Sequence, residues 1–174
     1  INGGAPNESS GPFGTVITIK ALAVGTHVTG SFQYTFFVNG ISIGQTTGAV
    51  PPTTEASVDW TPPQPGAYFI TVKATDGSNT ATSLPVRFFA TGTVVNSPVT
   101  GTIVPDGSSV VLKADATVAG GFVKTIQFYD NGTAIGTADT TLPYSLIYTV
   151  PGGVGSTHNI TAQATDNTNA TLAM

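Results

Sequence analysis

Four blocks of this 174-residue chain occur twice, in the same order and at nearly the same spacing. GTVITIKALA (14–23) matches GSSVVLKADA (107–116), and FFVNGISIG (36–44) matches FYDNGTAIG (128–136). ASVDWT (56–61) corresponds to YSLIYT (144–149), and ITVKATDGSN (70–79) to ITAQATDNTN (160–169). The separations of 93, 92, 88 and 90 residues drift by only a few loop positions. Shared order and spacing mean that one structural unit is written twice.

Each block alternates. Val16, Thr18 and Lys20 fall opposite Ile17, Ile19 and Ala21, while Val110, Leu112, Ala114 and Ala116 share one face. Ala56, Val58 and Trp60 align with Tyr144, Leu146 and Tyr148, again at a period of two. This alternation suits antiparallel strands with one face in a core and the other in water. No window shows a helical period, and Pro or Gly interrupts every candidate. The pattern predicts an all-β chain of two tandem antiparallel β-sandwiches, residues 1–92 and 93–174, with about seven strands per repeat.

The repeated Asn-Gly has a turn chemistry. A two-residue type I′ loop requires positive φ at both central residues, which Asn followed by Gly tolerates best. With Asn131-Gly132 at the tip, Asp130 faces Thr133, Tyr129 faces Ala134, and Phe128 enters the core with Ile135. The upstream copy places Val38 opposite Ile41, Phe37 and Ser42 outside, and Phe36 and Ile43 inside.

Charged residues make up 8% of the chain, against roughly 25% in an ordinary soluble domain. The net charge is −4 with five Lys and Arg, so the basic footprint that nucleic acid requires is absent. No apolar run reaches the ~20 residues of a membrane helix, so no membrane insertion is expected. There is no cysteine, which excludes disulfides and thiolate metal sites.

The stretch 94–170 resembles a bacterial immunoglobulin-like domain, carried by Ser97-Pro98, Gly101, Gly107, FYDNG, LPYSLIY and ATDN. The upstream copy resembles it more loosely through FFVNG, VDW and PGAYFITVKATDG. The resemblance implies a module that recurs in tandem in secreted polysaccharide-degrading enzymes, adhesins and other cell-surface proteins. It implies an extracellular or cell-surface location. The first residue is Ile, and ATLAM at the end falls partway into a final strand, so the chain reads as part of a longer polypeptide or one whose last strand is completed from elsewhere. The join through Phe88–Val95 is short.

No catalytic constellation is expected. Glu55 and Asp59 lie four apart on a strand, about 13 Å, wider than paired glycosidase carboxylates. His27 and His158 are not equivalent and read as lacking a neighbouring nucleophile. The turns at Asp76 and Asp166 start like calcium loops but lack the later bidentate carboxylate, so they read as side-chain-closed turns, with no metal and no cofactor. Tyr68 reads as a tyrosine corner, with His158 as its downstream equivalent, and Trp60 reads as core. Phe37, Phe89 and Tyr129 fall on outward phases and are the candidate binding residues. The sequence favours a non-catalytic spacer or assembly module whose partners are neighbouring domains or copies of itself. A carbohydrate-binding module that contacts polysaccharide is the alternative, and self-assembly by strand donation a third.

Overall fold

The computed structural model describes residues 8–23, 31–48, 55–153 and 155–172. Two compact units emerge: one from the chain up to Pro63 and from Ala67 to Phe89, the other from Gln64–Gly66 and from Ala90 onward. The described residues contain strands and turns and no helix.

The first unit contains β1 (Glu8–Pro12), β2 (Ile17–Ala21), β3 (Phe32–Val38), β4 (Ile41–Gly48), β5 (Ala56–Trp60), β6 (Gly66–Thr75) and β7 (Thr80–Thr82). One sheet runs β4-β3-β6, with β7 on β6, and the other pairs β2 with β5. Phe32, Tyr34 and Phe36 of β3 alternate inward, as a period of two requires, and pack on Ala56 and Ala74. Ile19, Ile43, Val58 and Val72 close the core between the two sheets.

β8 (Val86–Ser97) begins in the first unit and ends in the second, with the boundary between Phe89 and Ala90. The final strand expected of copy one and the first expected of copy two are thus one twelve-residue strand. No turn residue with a breaking conformation lies between them except Gly92, which stays in the strand at φ 139°.

The second unit adds β9 (Ser109–Thr117), β10 (Val123–Asp130), β11 (Thr133–Asp139), β12 (Ser145–Thr149) and β13 (Ile160–Asp166). Sheet β11-β10-β13 faces β12-β9-β8. Ile126 and Phe128 from one sheet meet Leu112 and Ala114 from the other and Tyr144 just before β12, all nearly without exposure. Among the described residues this unit has six strands rather than seven, with a single bridge, Thr165–Thr171, beyond β13. The architecture is an all-β sandwich of facing antiparallel sheets.

Both Asn-Gly pairs form the expected turns, with φ of 49° and 79° at Asn39-Gly40 and 49° and 81° at Asn131-Gly132. The downstream register is as read: Asp130 opposite Thr133, Tyr129 opposite Ala134, Phe128 opposite Ile135. Upstream, Phe36 pairs with Gly44 and not with Ile43. A bulge leaves Ile43 as an extra residue, although its side chain still reaches the core.

The glycine after each hairpin explains why a bulge belongs there. A Cβ on Gly44 would lie 2.7 Å from Val58 Cγ2, and one on Gly136 would lie 2.6 Å from Leu146 Cδ1. Val58 and Leu146 stand on the facing sheet, at equivalent points of β5 and β12. The missing side chain lets an aliphatic group from across the sandwich seat against backbone. Gly44→Ala is therefore expected to destabilise the protein by about 1–3 kcal/mol through overpacking. In a Val58→Ala background the same change should cost much less. Urea unfolding of the four variants of this cycle measures the coupling, and strictly additive effects would rule the contact out.

Candidate functional site

The hairpin tips are anchored as well as turned. Asn39 Oδ1 accepts a hydrogen bond from the Phe69 amide at 2.9 Å, and the Asn39 amide donates to the Phe69 carbonyl at 2.8 Å. Asn131 makes the same pair with Asn159, at 3.1 and 3.0 Å. Each turn asparagine thus extends the ladder to the neighbouring strand, a role that turn propensity alone does not reveal.

The Asp turns are closed by their own carboxylates. Asp76 Oδ1 accepts from the amides of Ser78 and Asn79 at 2.9 and 2.7 Å. Asp166 Oδ1 accepts from the Thr168 amide and hydroxyl, both at 2.7 Å, and from the Ala170 amide at 2.9 Å. Asp139 clamps another loop, accepting from the Thr141 amide and hydroxyl on Oδ1 and from the Ser145 amide on Oδ2. No group of three or more His, Asp or Glu among the described residues is placed to hold a metal ion.

These bonds stabilise the charged carboxylates and lower all three pKa values. The principal causes are the Asn79 amide for Asp76, the Ser145 amide for Asp139 and the Thr168 side chain for Asp166. A depressed folded pKa contributes stability that is complete above the unfolded value, about 3.9, and is lost as pH falls through the folded value. The thermal midpoint should therefore drop as pH is lowered from 5 towards 2. Asp139→Asn should lower the midpoint at pH 7 and make this acid dependence shallower; an unchanged slope would contradict the clamp.

The outward aromatics are half-buried and engaged with their own chain. Tyr129 hydroxyl lies 3.5 Å from Gln163 Oε1, and Arg87 sits 4.9 Å from the centre of the Phe89 ring. Phe37 lies opposite Ser42 on β3. The three residues fall on separate strands, β3, β8 and β10. Trp60 packs edge-on against Tyr68 at 4.9 Å and Phe88 at 6.3 Å, in keeping with its inward phase. Hydroxyl-to-backbone bonds of the corner type are made by Tyr34, which accepts from the Ala23 amide, and Tyr144, which donates to the Val123 carbonyl. Glu55 and Asp59 are taken by surface partners, Lys20 and Thr18. His27 lies outside the described residues.

His158 does have a neighbouring hydroxyl, contrary to the sequence reading. Its Nε2 is 3.1 Å from Ser156 Oγ, and its Nδ1 is 2.6 Å from Asp130 Oδ2. The Tyr148 hydroxyl donates to that same Oδ2 at 2.6 Å. The Asp130 side chain is only 9% exposed and that of His158 18%. Burial, then the hydrogen bond to Asp130 and its charge, push the Tyr148 hydroxyl up to about 12, so it stays a donor. Ser156, His158 and Tyr148 border a cavity of about 560 Å³ whose other walls include Val104, Val110, Val150 and Ile160.

The internal repeat acts as a control for this cluster. Asp130, Tyr148 and His158 occupy the positions of Val38, Trp60 and Tyr68. Val38 pairs with Ile70 as Asp130 pairs with Ile160. The first unit thus fills this corner with apolar and aromatic groups, so the sandwich does not need a buried carboxylate there. Replacing Asp130, Tyr148 and His158 together by Val, Trp and Tyr should leave stability unchanged or raise it by up to about 4 kcal/mol. A thermal melt showing large destabilisation would make the polar corner a structural requirement.

The facing antiparallel sheets and their shared cores define an all-β, immunoglobulin-like sandwich fold. Residues 91–162 match the family model of the bacterial Ig domain. No curated protein matches at a significant level. Solved structures similar to the chain include the fibronectin(III)-like modules of CbhA from Clostridium thermocellum, at 20% identity, 99% of this chain, 87% of that one and a TM-score of 0.43. The FN1–FN3 domains of chicken CNTN1 match at 14% identity over 95% of this chain and 62% of that one, TM-score 0.33. Apo beta-glucuronidase 3 of Bacteroides uniformis matches at 15% identity over 97% of this chain and 23% of that one, TM-score 0.33.

Proposed function

We propose that the chain is a structural module of an exported bacterial surface protein, two tandem immunoglobulin-like sandwiches (1–92 and 93–174) that act as a spacer or assembly element. Its partners are neighbouring domains of a longer chain or further copies of itself. The observation that carries this reading is what the repeat duplicates. The turn asparagines, the glycine contacts across the sandwich and the Asp-closed turns all hold the fold itself. The bacterial Ig domain match supports it, since such domains are typical of extracellular and surface proteins. No helix among the described residues is long and apolar enough to cross a membrane.

The carbohydrate-binding alternative requires an open aromatic platform for a sugar ring. Phe89 and Tyr129 are instead partly covered by Arg87 and Gln163, which favours the structural role. The protein is accordingly expected to stay in the supernatant when mixed with insoluble cellulose, chitin or xylan. Retention on a glycan that is abolished by Tyr129→Ala would replace the spacer reading with the carbohydrate-binding one.

A further inference from the structure

We propose that Ser156 is an activated nucleophile that accepts acyl groups from small, neutral aliphatic esters, an activity additional to the structural role. Three observations converge on it. Ser156 Oγ, His158 Nε2, His158 Nδ1 and Asp130 Oδ2 form a continuous chain with links of 3.1 and 2.6 Å. That is the arrangement by which a carboxylate orients an imidazole to take a proton from a hydroxyl, and it is recognised by geometry and not by fold or sequence order. Asp130 is buried and His158 half-buried while Ser156 is exposed, so the nucleophile faces the solvent side of the chain of bonds.

The second observation is the cavity that Ser156 and His158 border, with aliphatic walls suited to a short acyl chain. Asp106 also lines it and no Lys or Arg does, which disfavours anionic substrates and favours neutral ones. The third is the internal control. Where Asp130, Tyr148, Ser156 and His158 stand, the first sequence copy has Val38, Trp60, Gly66 and Tyr68, and its core forms without the polar groups. A buried carboxylate that the fold can dispense with is a cost to stability, and such departures from packing concentrate at functional sites.

The step balances without a cofactor. Ser156 Oγ bonds to the ester carbonyl carbon as its proton passes to His158 Nε2. The bond to the alcohol oxygen then breaks, and the imidazolium returns that proton to the departing alcohol. The product is an acyl ester on Ser156, which water can cleave by the same route. Tyr148 and Asp130 do not touch the substrate and serve as positioning residues for His158.

The test uses the full chain with p-nitrophenyl butyrate and with a serine-directed fluorophosphonate, read by release of nitrophenol, intact mass and peptide mapping. The expected result is one adduct, on the peptide containing Ser156, absent in Ser156→Ala and present in the control Ser145→Ala. His158→Gln, confirmed folded by circular dichroism, should slow labelling about a hundredfold. Should His158→Gln fail to fold, Asp130→Asn with the same folding check serves in its place, with the same slowing expected. Absence of an adduct on the folded native chain would overturn the proposal. So would labelling that survives Ser156→Ala, or a rate at Ser156 indifferent to the loss of His158 or Asp130.

Discussion

Val58 and Leu146 can seat against the opposite sheet because Gly44 and Gly136 present bare backbone to them. Much else in each unit hangs on that close approach. It sets how near the hairpin strand comes to β5 or β12. Interiors packed at crystal-like density transmit a shift at one contact to the next. In the second unit Leu146 packs against the core that contains Phe128, Leu112 and Tyr144, and in the first Val58 packs against the core that contains Phe36 and Ala56. The bulge beside each glycine lets the strand bend toward the contact while the tip remains an ordinary two-residue turn.

The tips are held from the other side by the turn asparagines. Asn39 bonds Phe69 within β6 and Asn131 bonds Asn159 just before β13, each through both side chain and backbone. Each hairpin is thus fixed at its end by hydrogen bonds and at its base by packing across the sandwich. The Asp-closed turns secure loops elsewhere without drawing on other side chains from far along the chain. With charged residues at 8%, most of this work falls to backbone amides and small polar groups rather than ion pairs. Exposed pairs such as Lys20–Glu55 add little in any case.

The strands, their inward faces and the turns were legible because each rests on a local rule. Alternation placed Leu112, Ala114, Phe36 and Phe128 inside, and Asn-Gly placed the tips. The bulge at Ile43 was not, since a period of two cannot count an extra residue; the only signal was a glycine within a strand. The merger of two expected strands into β8 was not legible either, although the short join hinted at it, because a boundary between repeats at residues 92 and 93 falls inside one continuous strand. The Ser156–His158–Asp130 cluster is non-local: Asp130 and His158 meet only because β10 pairs with β13 through Asp130 and Ile160. Aligning the two copies does contain a trace of it. Val38, Trp60 and Tyr68 all become more polar in the second copy, at one end of the sandwich.

The turn asparagines also set how the two hairpins age. Asn followed by Gly is the dipeptide whose side-chain carbonyl is most open to attack by the next backbone nitrogen, with loss of ammonia through a succinimide. Opening of that ring to aspartate keeps an acceptor oxygen for the amide of Phe69 or Asn159. At Asn39 the tip can therefore retain its bond. At Asn131 the lost Nδ2 also donates to the Thr157 carbonyl at 3.3 Å, and a carboxylate there would face that carbonyl without a proton to share. Opening to aspartate is thus nearly silent in the first unit, and in the second it loosens the loop that carries Ser156 and His158. Opening the other way, to isoaspartate, lengthens the backbone by one carbon at either tip, so ageing marks both hairpins but reaches beyond the turn only in the second.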